Sequence, residues 1–292
     1  MNRPIYLDTN LWNALLDQSI AIEPLMSNLT QQGATLALSN HTLYELSKTF
    51  AGNPTRARAL CECAQHALDS GAIAVYDAMD QLHLEVESAK TGTPIVWMRA
   101  GHELDLFKGE VAELASGTVG SALQTQIAQW DQFAKQARAG QNAHFECKAE
   151  TKSRINTVSE PDLRAWLDAE MLSSTGTALL IRQLTRLYSG TLDTATAVRL
   201  AAPLLANSAF RIARADVCAT LYSNWRSATR DSIRKDLVPD LYHVLNASYC
   251  SVYATEEAGQ IEYAALLLPD TTQVAIYDGA TPVDHWLASF AT

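Results

Sequence analysis

The chain reads as an α/β protein whose parallel sheet is interrupted by a mostly α-helical insertion, and three observations predict it. Short apolar runs of strand length alternate with helical stretches near both ends of the chain, the pattern of a parallel sheet covered on both faces. Between about residues 79 and 235 the strand signals fade and helical periodicity takes over. Charge follows the same division. Residues 1–79 hold 4 basic and 7 acidic side chains, 80–236 hold 18 of each, and 237–292 hold 0 and 7, so the two ends carry the whole net charge of −10. The expected organisation is therefore a sheet domain in two parts, 1–78 and 236–292, separated by a helical insertion, 79–235.

In chain order, Ile5-Tyr6-Leu7 is a first strand, and Thr9-Asn10 lead into a helix over Leu11–Leu16. A helix over 23–31 ends at Gly33, and Thr35–Leu38 is a second strand. Ser39-Asn40 cap the next helix, in which Leu43, Leu46 and Phe50 share one side and Glu45 falls on another. A helix over 55–70 stops before Gly71, and Ile73–Tyr76 is a third strand. Within the insertion, Leu123, Ile127 and Trp130 keep helical spacing, and Ser159-Glu160-Pro161-Asp162 starts a helix continued by Leu163, Trp166 and Leu167. No fixed repeat of about 20 to 50 residues runs through it. The last part predicts a helix over 240–249, a strand over 251–254, a helix over 258–268, a strand over 273–277 and a short helix over 284–290.

Composition removes several classes. With 292 residues, 48% hydrophobic and 18% charged, the chain is neither disordered nor collagen-like. Its longest apolar stretches, such as Ala264–Leu268, fall far short of the ~20 residues that cross a bilayer, so no membrane span is expected. The segment Met1–Asp8 lacks the apolar run of a secretory signal, and a cytoplasmic location follows as the expectation. The cysteines at 61, 63, 147, 218 and 250 are odd in number and scattered, as reduced thiols would be. No Gly-rich phosphate loop, G-x-S-x-G elbow or H-E-x-x-H motif is present.

Four acidic residues stand where such a sheet offers a site. Asp8 follows the first strand and Glu257 the fourth, and in open α/β sheets ligands bind outside the carboxyl ends of the strands. Asp240 stands at a helix start after Pro239, and Glu45 lies about a turn into the helix that follows strand two. Clustered carboxylates are oxygen donors suited to Mg²⁺ or Mn²⁺. Such an ion would lower the pKa of a bound water and stabilise a phosphodiester's leaving oxygen.

The segments Leu7-Asp8-Thr9-Asn10, Leu38-Ser39-Asn40-His41-Thr42-Leu43-Tyr44-Glu45-Leu46, Asp236-Leu237-Val238-Pro239-Asp240-Leu241-Tyr242-His243 and Val252-Tyr253-Ala254-Thr255-Glu256-Glu257 resemble the PIN-domain nucleases in order, local context and the gap of 17 from Asp240 to Glu257. The resemblance covers the two end segments only. It implies a PIN-like three-layer α/β/α sandwich with a parallel central sheet, a metal-dependent endoribonuclease activity, and a site in which Asp8, Glu45, Asp240 and Glu257 match the family's acids. Mg²⁺ or Mn²⁺ is the implied cofactor and RNA the implied substrate. A protein partner or antitoxin and a homo-oligomer are further partners to consider. The family more often has Asp at the fourth position, which leaves Glu256 competing with Glu257, as Asp236 competes with Asp240.

Around these acids Thr9, Asn10 and Thr255 are candidate hydrogen-bond donors to a carboxylate or to the attacking water, and His243 falls three residues after Asp240. Residues 199–235 hold seven basic side chains against Asp216 and Asp231, and Arg226, Arg230 and Arg234 recur every four residues as a candidate RNA-phosphate stripe. Bland readings stand beside each of these: helix capping for Asp8 and Asp240, a solvated face for Glu45 and the arginines, packing for His243 and the tryptophans. A second functional class is a PIN fold that no longer cuts and binds RNA or a protein.

Overall fold

The structure, a computed structural model, describes residues 2–121, 124, 125, 127–129, 131, 132, 135, 158–187, 192–229 and 237–291. Its centre is a five-stranded, all-parallel sheet of strands β1 (Arg3–Leu7), β2 (Ala34–Leu38), β3 (Ile73–Ala74), β4 (Val252–Thr255) and β5 (Gln273–Ile276), in the order β3-β2-β1-β4-β5. From β1 the chain moves outward through β2 to β3, then returns to place β4 on the other side of β1. Strand order therefore reverses between β1 and β4, and the crevice outside their carboxyl ends is the place where such sheets bind ligands.

Side-chain alternation builds two cores. Ile5 and Leu7 point to one face with Leu36, Leu38, Val252 and Ala254, while Tyr6 points to the other with Ala37 and Tyr253. All nine are fully buried, and each large apolar side chain among them contributes roughly 1.5–3 kcal/mol. The first face carries α1 (Thr9–Asp17), α2 (Ile22–Gln31), α3 (Asn40–Lys48), α4 (Pro54–Asp69), α6 (His102–Ala115) and α13 (Val283–Ala288). The second carries α5 (Ala78–Thr91), α7 (Leu163–Met171), α8 (Ser174–Leu187), α9 (Thr194–Ala206), α10 (Arg211–Thr229), α11 (Leu237–Asn246) and α12 (Ala258–Leu267). Among the described helices between β3 and β4, all but α6 thus share a core with Tyr6, Ala37 and Tyr253 of the sheet, while α6 packs on the opposite face.

Local chemistry explains where the elements begin and end. Gly33 takes φ 79° after α2, a left-handed turn open to glycine, and its carbonyl then accepts Arg3 N–H at 2.7 Å. Ser39 and Thr42 form a capping box at the start of α3, and the hydroxyl of Tyr6 bonds both. The third strand is shorter than its apolar run: Val75 still donates to the Leu38 carbonyl of β2 at 2.7 Å, but it pairs with Met98 in an antiparallel bridge. Helix α11 starts three residues before Asp240, since a proline in the first turn lacks only an N–H with no helical acceptor. Asp240 accordingly lies within the first turn rather than at its cap. Among the described residues no helix is long and apolar enough to cross a membrane, and Cys61, Cys63, Cys218 and Cys250 are free thiols.

Candidate active site at the carboxyl edge of the sheet

Strands β1 and β4 end side by side, and their last residues meet across the switch point. The backbone N–H of Asp8 bonds the carbonyl of Ala254 at 3.0 Å, carrying the ladder one residue beyond β1. Asp8 then turns its side chain back as the N-cap of α1, with Oδ1 accepting Leu11 N–H at 3.0 Å. Its Oδ2 accepts a hydrogen bond from the hydroxyl of Thr255 on β4. Capping and site formation thus coincide in one carboxylate. Only 1% of Asp8 is exposed, and burial lifts its pKa to about 6; the Thr255 and Leu11 hydrogen bonds oppose the rise, while Glu257 and Glu256 add to it.

Residues 9, 10, 255 and 257 complete this corner. Thr255 accepts the Glu257 N–H at 3.0 Å, which turns the chain so that Glu257 reaches back over α1. There Asn10 donates from Nδ2 to Glu257 Oε1 at 2.9 Å. Glu256, next door, is exposed; burial and then Asp17 raise its pKa. The geometry therefore sets Glu257, rather than Glu256, against α1, and leaves Glu256 as a more distant negative charge.

The other wall comes from α3 and α11. Glu45, part-buried, pairs with Lys48 one turn on at 2.8 Å, and Lys48 lies over the Tyr44 ring at 4.7 Å. His243 is buried, with Nε2 at 3.2 Å from Thr9 Oγ1. Among the described residues its Nδ1 has no hydrogen-bond partner. Burial pulls the imidazole down to about 4; Glu45 and Glu257 pull it back up and Lys48 pushes it down, so these three charges act on one ring. Asp240, a turn before His243, is buried. Burial, and with it the charges of Asp8 and Asp240, holds the phenol of Tyr253 well above its ordinary range.

Several residues of this corner carry no obvious signal in the sequence. Gln260, buried at the third position of α12, accepts the hydroxyl of Tyr253 and lies 3.2 Å from Thr255 Oγ1. Its place three residues after Glu257 matches the reach-back position of a capping box. His41 packs edge-on against His243 with ring centroids 4.4 Å apart. Lys48 brings a cation to the rim.

Not every candidate gathers here. Arg226 is part-buried, pairs with Glu262 at 3.7 Å and lies over the Tyr222 ring, which is a packing position. Arg230, Arg234 and Asp236 lie outside the described residues. Of the tryptophans, Trp225 is buried and donates to the Val158 carbonyl, and Trp97 and Trp166 are half-buried.

Whether the corner suits a divalent ion turns on its donors. Among the described residues no three His, Cys, Asp or Glu side chains stand close enough to hold a metal together. The donors are nonetheless hard oxygens, and Mg²⁺ commonly takes only one or two carboxylates and keeps its waters. An ionised carboxylate offers about four acceptor positions, and Asp8 uses two of them in protein hydrogen bonds. A buried carboxylate with a raised pKa beside further negative charge is one that a cation stabilises. The oxygen donors of Asp8 and Glu257 would suit such an ion. Comparison with protein-family models, curated proteins and solved structures finds no match to this chain.

Proposed function

We propose that the chain is a PIN-like α/β/α nuclease, a metal-dependent endoribonuclease that hydrolyses RNA phosphodiester bonds with Mg²⁺ or Mn²⁺. The observation that carries this reading is the meeting of Asp8 and Thr255-Glu257 at the carboxyl ends of β1 and β4, where strand order reverses. Asp8, Asp240 and Glu257 are the residues that would hold the ion, with Glu45 completing the acidic set. When bound, the ion supplies Lewis acidity and a water of lowered pKa.

The chain's own residues orient and screen. Thr255 and Leu11 N–H fix the Asp8 carboxylate, and Asn10 fixes Glu257, so neither acid must be reorganised when substrate arrives. His243, neutral at physiological pH because of its burial, orients the Thr9 hydroxyl toward the same corner. Lys48, partly exposed beside Glu45, is the described cation best placed to hold an RNA phosphate. Arg226, engaged with Glu262, is not free to serve as part of an RNA-phosphate stripe.

A second reading, a PIN fold that binds RNA or a protein without cutting, is favoured by one feature. Asn10, Thr255 and Lys48 already occupy acidic oxygens of the corner. Labelled single-stranded RNA and DNA incubated with the purified chain, with Mn²⁺ or with EDTA, separate the readings. The nuclease reading expects RNA cleavage that EDTA abolishes and that Asp240→Asn reduces at least a hundredfold. RNA that is bound but left intact in Mn²⁺ establishes the binding module instead, and cleavage of DNA alone changes the substrate class.

A further inference from the structure

All five strands run the same way, so their starts lie on the opposite edge of the sheet from Asp8. Two adjoining cavities open there, of about 300 and 350 Å³, sharing Arg211 and Thr271. Each is at the small end of the roughly 300–1,000 Å³ typical of ligand sites. The first is lined by three arginines, Arg164, Arg211 and Arg214, and by two acids, Asp168 and Asp270. Arg164 is committed to Asp168 and Asp270, both at 3.1 Å, and to the Ala265 carbonyl at 2.8 Å.

Arg211 and Arg214 are different. They stand three residues apart in the first turn of α10, and their described bonds go to carbonyls only, Ser248 at 3.2 Å and Leu205 at 2.6 Å. Neither has an ion pair with an acid among the described residues. A guanidinium has five N–H donors in a fixed fork, so among the described residues most of their donor capacity is unspent, in a chain of net charge −10.

The second cavity adds Arg3 and an aromatic wall, and no acidic side chain lines it. Trp97 stacks on Tyr249 with centroids 5.8 Å apart and planes 14° off parallel. Arg211 lies over the Tyr249 ring at 5.3 Å. The Tyr249 hydroxyl is turned inward, donating to Glu85 at 2.5 Å and lying 3.0 Å from the Ala209 carbonyl, which holds its ring as a fixed platform. A pair of under-used guanidinium forks suits a phosphate dianion, and a half-buried indole beside it suits a planar base. An inorganic anion alone would leave the aromatic wall unused, and an uncharged nucleoside would leave the arginines unused.

We infer that this groove binds a phosphorylated nucleoside, its phosphate between Arg211 and Arg214 and its base against Trp97. The site stands apart from the acidic corner and does not depend on the ribonuclease reading. The same chemistry is offered by a free nucleotide and by the 5′ end of an RNA strand, so both are probes. Titrate the purified chain in EDTA with 5′-AMP, with a 5′-phosphorylated dinucleotide and with adenosine, following tryptophan fluorescence and heat. At least one phosphorylated probe should bind saturably and about tenfold or more tighter than adenosine. Arg214→Gln should weaken it about tenfold, Trp97→Leu should weaken it without altering the response to inorganic phosphate, and Asp8→Asn should leave it unchanged. Preference for the dinucleotide identifies a strand end, and preference for AMP a free nucleotide; either supports the site. Binding of neither, binding that Arg214→Gln and Trp97→Leu both leave intact, or binding that Asp8→Asn abolishes, overturns it. Should Arg214→Gln not fold, the Trp97→Leu comparison decides alone.

Discussion

Asp8 concentrates the chemistry of the candidate site in one side chain. Its carboxyl is buried and its pKa lifted to about 6 by that burial, so a proton and a cation compete for it. Protonation begins as pH falls through about 6, and the affinity of Mg²⁺ or Mn²⁺ should then drop by up to about tenfold per pH unit. Activity should decline in parallel on the acid side, and a rate independent of pH between 5 and 7 would show that Asp8 is not at the metal. The same shift has a sign for stability. Without metal, the folded state binds a proton between the unfolded value near 4 and about 6 that the unfolded state does not. The charged Asp8 therefore costs stability above about pH 6, by up to about 3 kcal/mol. At pH 8 in EDTA, Asp8→Asn should melt no lower than the parent chain, because a neutral amide can still accept from Leu11. In millimolar Mg²⁺ the parent should gain several degrees by mass action and the variant almost none. A variant that melts well below the parent in EDTA and still responds to Mg²⁺ would mean that the carboxylate is only a helix cap.

Elements carry these side chains to the rim, and their starts matter more than their lengths. Helix α3 is launched by the Ser39–Thr42 capping box, with both hydroxyls held by Tyr6 from the middle of β1. Ser39→Ala removes the cap and one partner of a fully buried phenol, for an expected loss of about 1–2 kcal/mol. Because Glu45 and Lys48 ride on that helix, cleavage should fall with stability. Urea denaturation that shows no change in midpoint would rule out the cap as a structural element. Much of this was legible in residues: the Ile5-Tyr6-Leu7 run, the Ser39-Asn40 start, Gly33 as a stop and Thr255 before two glutamates all point where the elements lie. Strand order was not legible, since five similar apolar runs contain nothing local that places β4 beside β1. Nor was the direction of Glu85, which reaches from α5 to accept the Ile212 and Ala213 N–H groups at 2.7 and 2.8 Å. A carboxylate capping a distant helix from within the core leaves no spacing to read. Glu85→Ala should cost roughly 2–4 kcal/mol, because two backbone donors and the Tyr249 hydroxyl lose their acceptor. A melting curve unchanged by that substitution would show that water replaces the carboxylate freely.

Among the described residues, burial holds several acids well above the ordinary carboxylate range, and this sets a dependence on pH. Burial raises Glu85 and Asp216 to about 7 and Asp77 to about 6, in addition to Asp8. For each of these the folded state takes up its proton at a higher pH than the unfolded chain, so stability is lost as pH rises through the folded value. His243 works the other way. Its folded value near 4 lies below the ordinary one, so its contribution is lost as pH falls from about 6.5 toward 4. Asp17, Glu23 and Asp193 are shifted downward but are exposed and screened, so among the described residues the four buried carboxyls dominate. The metal-free chain should therefore become more stable from pH 8 down to about pH 5, where chains whose carboxylates are mostly ion-paired begin to weaken. Asp216 isolates the effect, since its shift comes from burial alone. Asp216→Asn keeps the shape of the side chain and removes its charge. At pH 8 it should raise the melting temperature by at least about 4 °C, from a gain of about 2–4 kcal/mol, and the gain should shrink toward pH 5 as the parent acid takes up its own proton. Melting scans of parent and variant at pH 5, 6.5 and 8 in EDTA test both statements together. A parent profile that is flat or falls on acidification would remove the premise that these carboxyls are held charged at a cost. A variant that melts below the parent at pH 8 would show that Asp216 is compensated by a partner its burial conceals.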